Sequence, residues 1–201
     1  MRSSGRTIRE IEVKLRVADV DSLIRKLGRL GCRCSGRVRE RNTLYDTPDS
    51  DIRRLGRLLR IRVETPAPSM LVRGGVRRTV ITSKSPAPAS AGSRYKEKIE
   101  RELAVRSRLN WPTTLRSLGF RPGFSYEKFR STFRLPGLHL DLDETPVGVF
   151  LELEGSPRAI DRAAKSLGFS RCDYIRGTYW EVYAAECRRR GRSPRNMLFP
   201  S

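Results

Sequence analysis

Three observations predict an α+β protein, mainly antiparallel β, built as an eight-stranded closed β-barrel with flanking helices. About eight segments alternate in polarity, the helices between them are too few to cover a parallel sheet, and the polar faces of the strands segregate by sign. Closure is the natural end for such a set, because it leaves no strand edge with unpaired backbone groups. With 201 residues and 37% hydrophobic content, the chain has enough material for one sizeable domain. That domain is expected over residues 1–185, followed by a basic, disordered tail over 186–201.

Residues 8–17 alternate strictly, with Ile11, Val13, Leu15 and Val17 on one side and Glu10, Glu12, Lys14 and Arg16 on the other, which makes a strand. "ADVDSLIRKLGRLG" follows as an amphipathic helix, with Asp19 or Asp21 as N-cap, Val20, Leu23, Ile24 and Leu27 at helical spacing, and Gly31 as its stop. "RVRERNTLYDT" reads as the second strand, "DSDIRRLG" as a short helical turn or loop, and "RLLRIRVE" as the third strand. Breakers in "TPAPSMLVRGGVRR" precede the strand "TVITSK", and the Pro, Ala and Ser run over 85–93 reads as a flexible loop, a candidate lid. "RYKEKIERELAV" is a charged strand, and "SRLNWPTTLRSLGF" a helix starting near Pro112. "YEKFRSTFRL", "LHLDLDE" and "FLELEG" complete the strands, with "TPVG" turning between the last two, and "SPRAIDRAAKSLGF" is the closing helix.

Charge narrows the partner. Forty-two Lys and Arg against 22 Asp and Glu leave a formal charge of +20, which attracts polyanions, and the arginine-rich excess favours phosphate because the guanidinium makes paired hydrogen bonds to it. Cys32, Cys34, Cys172 and Cys187 lack metal-ligand spacing, and the one histidine, His139, adds little, so free thiols in a reducing cytosol are expected. The N-terminus has no apolar signal core and no stretch approaches ~18 uninterrupted apolar residues, so a cytoplasmic protein with no membrane partner is expected.

The polar faces carry the chemistry. Glu10, Glu12 and Lys14 come from the first strand, Arg39 and Arg41 from the second, Arg60 and Arg62 from the third, and Lys84 from the fourth. Lys98, Glu100 and Glu102 share a face of the fifth, Lys128 and Arg130 of the sixth, Asp141 and Asp143 of the seventh, and Glu152 and Glu154 of the eighth. If the sheet closes with the first and eighth strands adjacent, four glutamates meet beside the Asp pair, a costly gathering unless a cation neutralises it. Hard oxygen ligands suit Mg²⁺ or Mn²⁺, the bases across the lumen suit phosphate, and a barrel of eight strands admits one small ligand. Each strand alone could as well be a solvent-facing one; the combination is what argues for an inward face. His139 reads as a lumen or surface residue, Trp111 and Trp180 as packing side chains, and Tyr174 and Tyr179 as packing in preference to capping the barrel.

At these residues the chain resembles the CYTH family, the triphosphate tunnel metalloenzymes. The resemblance starts at the ExExK of Glu10, Glu12 and Lys14 and runs through "NTLYDTPD", "LLRIRVE", "ITSK", "YKEKIERE", "YEKFRSTF" and "LDETPVGVFLELEG". It implies an antiparallel tunnel of eight strands, in which Glu10, Glu12, Glu152 and Glu154, with Asp141 or Asp143, hold a divalent metal. Lys14, Arg39, Arg41, Arg60, Arg62, Lys84, Lys128 and Arg130 then bind the triphosphate, and Lys14, Glu10 and Glu12 take the catalytic roles. The implied substrate is ATP, thiamine triphosphate or tripolyphosphate, hydrolysed in the first instance. Conversion of ATP to cyclic AMP and pyrophosphate, as by a class IV adenylate cyclase, is the alternative, and a non-catalytic polyphosphate- or RNA-binding protein the second alternative. Nucleic acid has access to the basic surface but is not expected as the main partner.

Overall fold

The computed structural model describes residues 6–67, 76–88, 93–105 and 110–200. Eight strands run in chain order: β1 (Arg6–Val17), β2 (Arg33–Asp46), β3 (Leu58–Pro66), β4 (Arg78–Pro86), β5 (Lys96–Val105), β6 (Arg121–Leu135), β7 (Leu138–Thr145) and β8 (Gly148–Gly155). They close into an antiparallel barrel in the order β1-β5-β4-β3-β2-β6-β7-β8, so β1 and β8 are neighbours. Their register sets Glu12 opposite Glu154 and Lys14 opposite Glu152.

Five helices flank the barrel: α1 (Val20–Arg29), α2 (Asp51–Arg54), α3 (Trp111–Ser117), α4 (Pro157–Leu167) and α5 (Tyr179–Arg189). The Asp19 carboxylate caps α1 by accepting from Ser22 N at 2.8 Å, and Ser156 caps α4 ahead of Pro157. Gly168 ends α4 at φ 92°, a left-handed position that glycine takes without Cβ strain. Leu23 and Leu27 of α1 and Ile160, Ala163, Ala164 and Leu167 of α4 bury against Val13, Leu15, Leu140, Leu142, Leu151 and Leu153. Those strand residues alternate with the charged ones, so the main hydrophobic core lies outside the barrel and its period of two turns every charged partner inward. On the other side, Leu115 of α3 packs on Tyr45 and Ile61.

Three expectations are corrected. The second strand begins four residues before the expected start at Arg37, and its inward residues are Glu40 and Asn42, 1% and 0% exposed. Arg39 and Arg41 face outward, where both lie beside Glu127, at 3.0 and 3.9 Å, with half or more of each side chain exposed. The tail over 186–201, expected to be disordered, begins inside α5. Beyond that helix it lies along the free edge of β6: Met197 N donates to Ser125 O, Glu127 N donates to Met197 O, and the Met197 side chain is 1% exposed. β6 extends past the end of β7, and those unpaired backbone groups take up the tail. The candidate lid over 85–93 falls largely outside the described residues.

No helix among the described residues is long and apolar enough to cross a membrane, and all four cysteines are free thiols.

Candidate active site

The barrel sorts its inward charges by wall. β1, β7 and β8 contribute Glu10, Glu12, Asp141, Asp143, Glu152 and Glu154, whereas β3, β4 and β6 contribute Arg60, Arg62, Lys84, Lys128 and Arg130. All but Lys84, Arg130, Glu152 and Glu154 are buried, and those four are only partly exposed. Such a density of charge is tolerable in low dielectric only where opposite signs meet.

Base meets acid throughout the lumen. Lys84 Nζ donates to both carboxylate oxygens of Glu10, at 2.7 and 2.6 Å, and Lys96 Nζ lies 2.5 Å from Glu12. Lys14 Nζ donates to Glu152 at 2.6 Å. Arg130 spans Asp141, Asp143 and Glu152, and Lys128 donates to Asp143 at 2.8 Å. On the facing wall Arg62 pairs with Glu64 at 3.0 Å and with Glu102 at 2.9 Å, while Arg60 reaches Thr82 and the Tyr126 hydroxyl.

Titration follows these contacts. Burial pushes the Glu10 carboxyl up, and the Glu12 and Glu100 carboxylates add to the push against the pull of Lys84, leaving it at about 8. Burial pushes Glu12 the same way, but Lys96, Lys84 and Lys14 outweigh it and hold that carboxyl at about 2. Glu152 is held well below the ordinary range because Lys14, Lys128 and Arg130 overcome its burial. Burial raises Glu154, with Glu12 and Glu100 adding to it.

The two aspartates separate clearly. Asp143 is fully buried and accepts from Lys128, Arg130 and the Tyr179 hydroxyl, so its oxygens are saturated by the protein and it works as an anchor for those donors. Asp141 accepts from Thr132 at 2.7 Å and lies 3.1 Å from His139, which places His139 in the lumen.

Lumen residues outside the expected site are Glu40, Lys96, Glu100, Glu102 and Tyr179. Lys96, Glu100 and Glu102 share a strand face with Lys98, so their signal lay in the alternation itself. Glu40 was hidden because β2 is polar on both faces, which gives no cue to which parity points inward. Tyr179 belongs to α5, whose start is marked by the capping box of Thr178 and Glu181: Thr178 N donates to Glu181 Oε2 at 2.6 Å and Glu181 N to Thr178 Oγ1 at 3.3 Å.

The lumen acids are hard oxygen donors of the kind Mg²⁺ and Mn²⁺ take, and in this respect the residues fit a divalent ion. Each is turned to a base here, and among the described residues no three His, Cys, Asp or Glu side chains are gathered for a metal.

Comparison with known proteins agrees with this architecture. A Methanocaldococcus jannaschii protein that carries the provisional name adenylate cyclase is 23% identical over 184 residues, covering 86% of this chain and 97% of that protein. A Pyrococcus horikoshii structure superposes with a TM-score of 0.71 at 22% identity, covering 88% of this chain and 99% of the other. A Vibrio parahaemolyticus structure provisionally named adenylate cyclase gives 0.68 at 19%, covering 86% and 96%. A Hippeastrum structure, titled as a provisional adenylyl cyclase with a dominant triphosphatase activity, gives 0.54 at 18%, covering 92% and 97%. The model of the CYTH domain matches residues 9–179, and the chain belongs to the CYTH domain family.

Proposed function

We propose that this chain is a divalent-metal-dependent enzyme that binds a triphosphate-containing small molecule inside the barrel and hydrolyses it, the substrate being a nucleoside, thiamine or inorganic triphosphate and the ion Mg²⁺ or Mn²⁺. The observation that carries the reading is the sorting of the lumen into an acid wall and a base wall whose members neutralise one another. A metal-bound triphosphate carries both complementary signs. Its oxygens take Lys14, Arg60, Arg62, Lys84, Lys128 and Arg130, and the released Glu10, Glu12, Glu152 and Glu154 become free as hard donors. The ion, when bound, supplies stabilisation of the charge that develops in an in-line displacement at phosphorus. The chain's own part is to hold the phosphates in line from several strands at once, in a site dry enough for each donor to act at full strength. Glu10, Glu12 and Lys14 lie on alternate positions of one strand, so acid and base meet the substrate from a rigid element.

Hydrolysis is the preferred outcome because it needs only the barrel, an ion and water, and the triphosphatase named for the Hippeastrum relative supports it. The names of the Methanocaldococcus and Vibrio relatives favour a second reading, cyclisation of ATP with loss of pyrophosphate. ATP, thiamine triphosphate and tripolyphosphate, each with Mg²⁺ or Mn²⁺ and assayed for phosphate, pyrophosphate and cyclic AMP, decide between them. Cyclic AMP as the main product would overturn hydrolysis, and no product under any condition would overturn the enzyme.

A further inference from the structure

The two ends of the barrel are built differently. At the end where β1 finishes and β8 begins, the first residue of α5, Tyr179, lies against Tyr126, Phe150 and Met197, and these four side chains are between 0% and 7% exposed. The Tyr179 hydroxyl donates to Asp143 at 2.6 Å. Its ring stands 4.3 Å from the Lys14 ammonium and 4.9 Å from that of Lys128, measured to the centroid, and these lysines are 3% and 2% exposed. Toward the opposite end, lumen-facing side chains open to water: His139 is 31% exposed and Glu102 36%.

From this asymmetry we infer that Tyr179 is an end-stop that makes the tunnel single-ended, so that its ligand is a polyphosphate with at least one unesterified end, entering from the opposite mouth with that end leading. The inference deepens the triphosphate reading above and rests on it. A phosphoryl group held jointly by Lys14 and Lys128 lies directly against the Tyr179 ring. A terminal phosphate fits there, since nothing needs to extend beyond it, and any ester group remains at the open mouth. A chain esterified at both ends must drive a second bulky group into the space held by Tyr179, Phe150 and Tyr126. That intrusion breaks the hydroxyl bond to Asp143 and leaves a fully buried carboxylate with one donor fewer. Tyr179 thereby determines specificity by exclusion, a form of discrimination stronger than added contacts to the favoured ligand.

Calorimetric titration tests this with probes that report binding without turnover: ATP carrying a methylene bridge between its β and γ phosphorus atoms, which has one free end, and diadenosine tetraphosphate, which has none, both with Mg²⁺. The wild-type chain is expected to bind the first about tenfold or more tightly than the second, the scale on which a filled pocket rejects a larger group. Tyr179→Ala is expected to gain the doubly esterified ligand and narrow the gap, while Tyr179→Phe, which keeps the ring and the fold, retains the preference. Equal binding of both probes by the wild-type chain overturns the end-stop and leaves the triphosphate reading standing. Binding of neither overturns that reading and the end-stop with it. A folded Tyr179→Ala chain with an unchanged gap overturns the assignment to Tyr179.

Discussion

Lys84 Nζ bonds both carboxylate oxygens of Glu10, at 2.7 and 2.6 Å, across the seam where β4 and β1 flank β5. In this structure a lysine stands where the sequence leads one to expect a cation, and the next acid along β1, Glu12, is held in the same way by Lys96. Binding of an ion to these acids therefore requires an exchange of partners, which a phosphate that takes up the released lysines makes favourable.

Glu10→Gln is expected to abolish metal-dependent turnover and, at the same time, to change how stability depends on pH. The Glu10 carboxyl is raised from 4.5 to about 8, so between those values the folded chain holds a proton that the unfolded chain has lost, and this group makes stability fall as pH rises. Removing it should make the melting temperature of the variant, relative to wild type, climb across that window. A flat or falling difference would show that Glu10 is charged in the folded barrel.

Glu152→Gln and Glu154→Gln separate an enzyme from a basic binder. If these carboxylates serve an ion, each variant loses metal-dependent turnover while still folding. A protein that merely attracts polyanions through its +20 charge would keep or gain affinity for RNA or polyphosphate, with binding that weakens steeply as salt rises. Retained turnover in both variants would contradict the proposed site.

Arg39→Ala and Arg41→Ala are expected to leave tripolyphosphate affinity unchanged, because both side chains lie outside the barrel against Glu127. Their exposed ion pairs also contribute at most about 1 kcal/mol to stability. Arg60→Ala or Arg62→Ala removes a buried lumen donor and should weaken binding about tenfold or more, the scale of a hydrogen bond to a charged group. Titration of the four variants checks this, and a loss at Arg39 matching that at Arg60 would contradict the outward orientation of β2.

His139 titrates in the opposite sense to Glu10. Its hydrogen bond to Asp141 raises the imidazole above its usual 6.5 in spite of its partial burial. The stabilisation is thus fully present below 6.5 and is lost as pH rises through the raised folded value. Wild type should out-melt His139→Gln most in mildly acidic buffer, and the advantage should shrink toward alkaline pH. A difference that grows with pH would mean that His139 is neutral in the folded state.

The sequence by itself determined the strands and most of the site. In β1 and β8 an apolar face alternates with a charged one, and since the strand period is two, burying Val13, Leu15, Leu151 and Leu153 under α1 and α4 leaves Glu10, Glu12, Lys14, Glu152 and Glu154 only the lumen. Where that contrast fails, only the tertiary structure decides. β2 carries charge on both faces, and a shift of one residue exchanges them, so its pairing with β3 and β6 was needed to send Glu40 inward and Arg39 and Arg41 outward. The last segment shows the same limit. Its composition resembles a solvated tail, yet the unpaired edge of β6 binds Met197, and α5 carries Tyr179 into the barrel end, because buried backbone groups and an open apolar rim are contacts that local sequence does not contain.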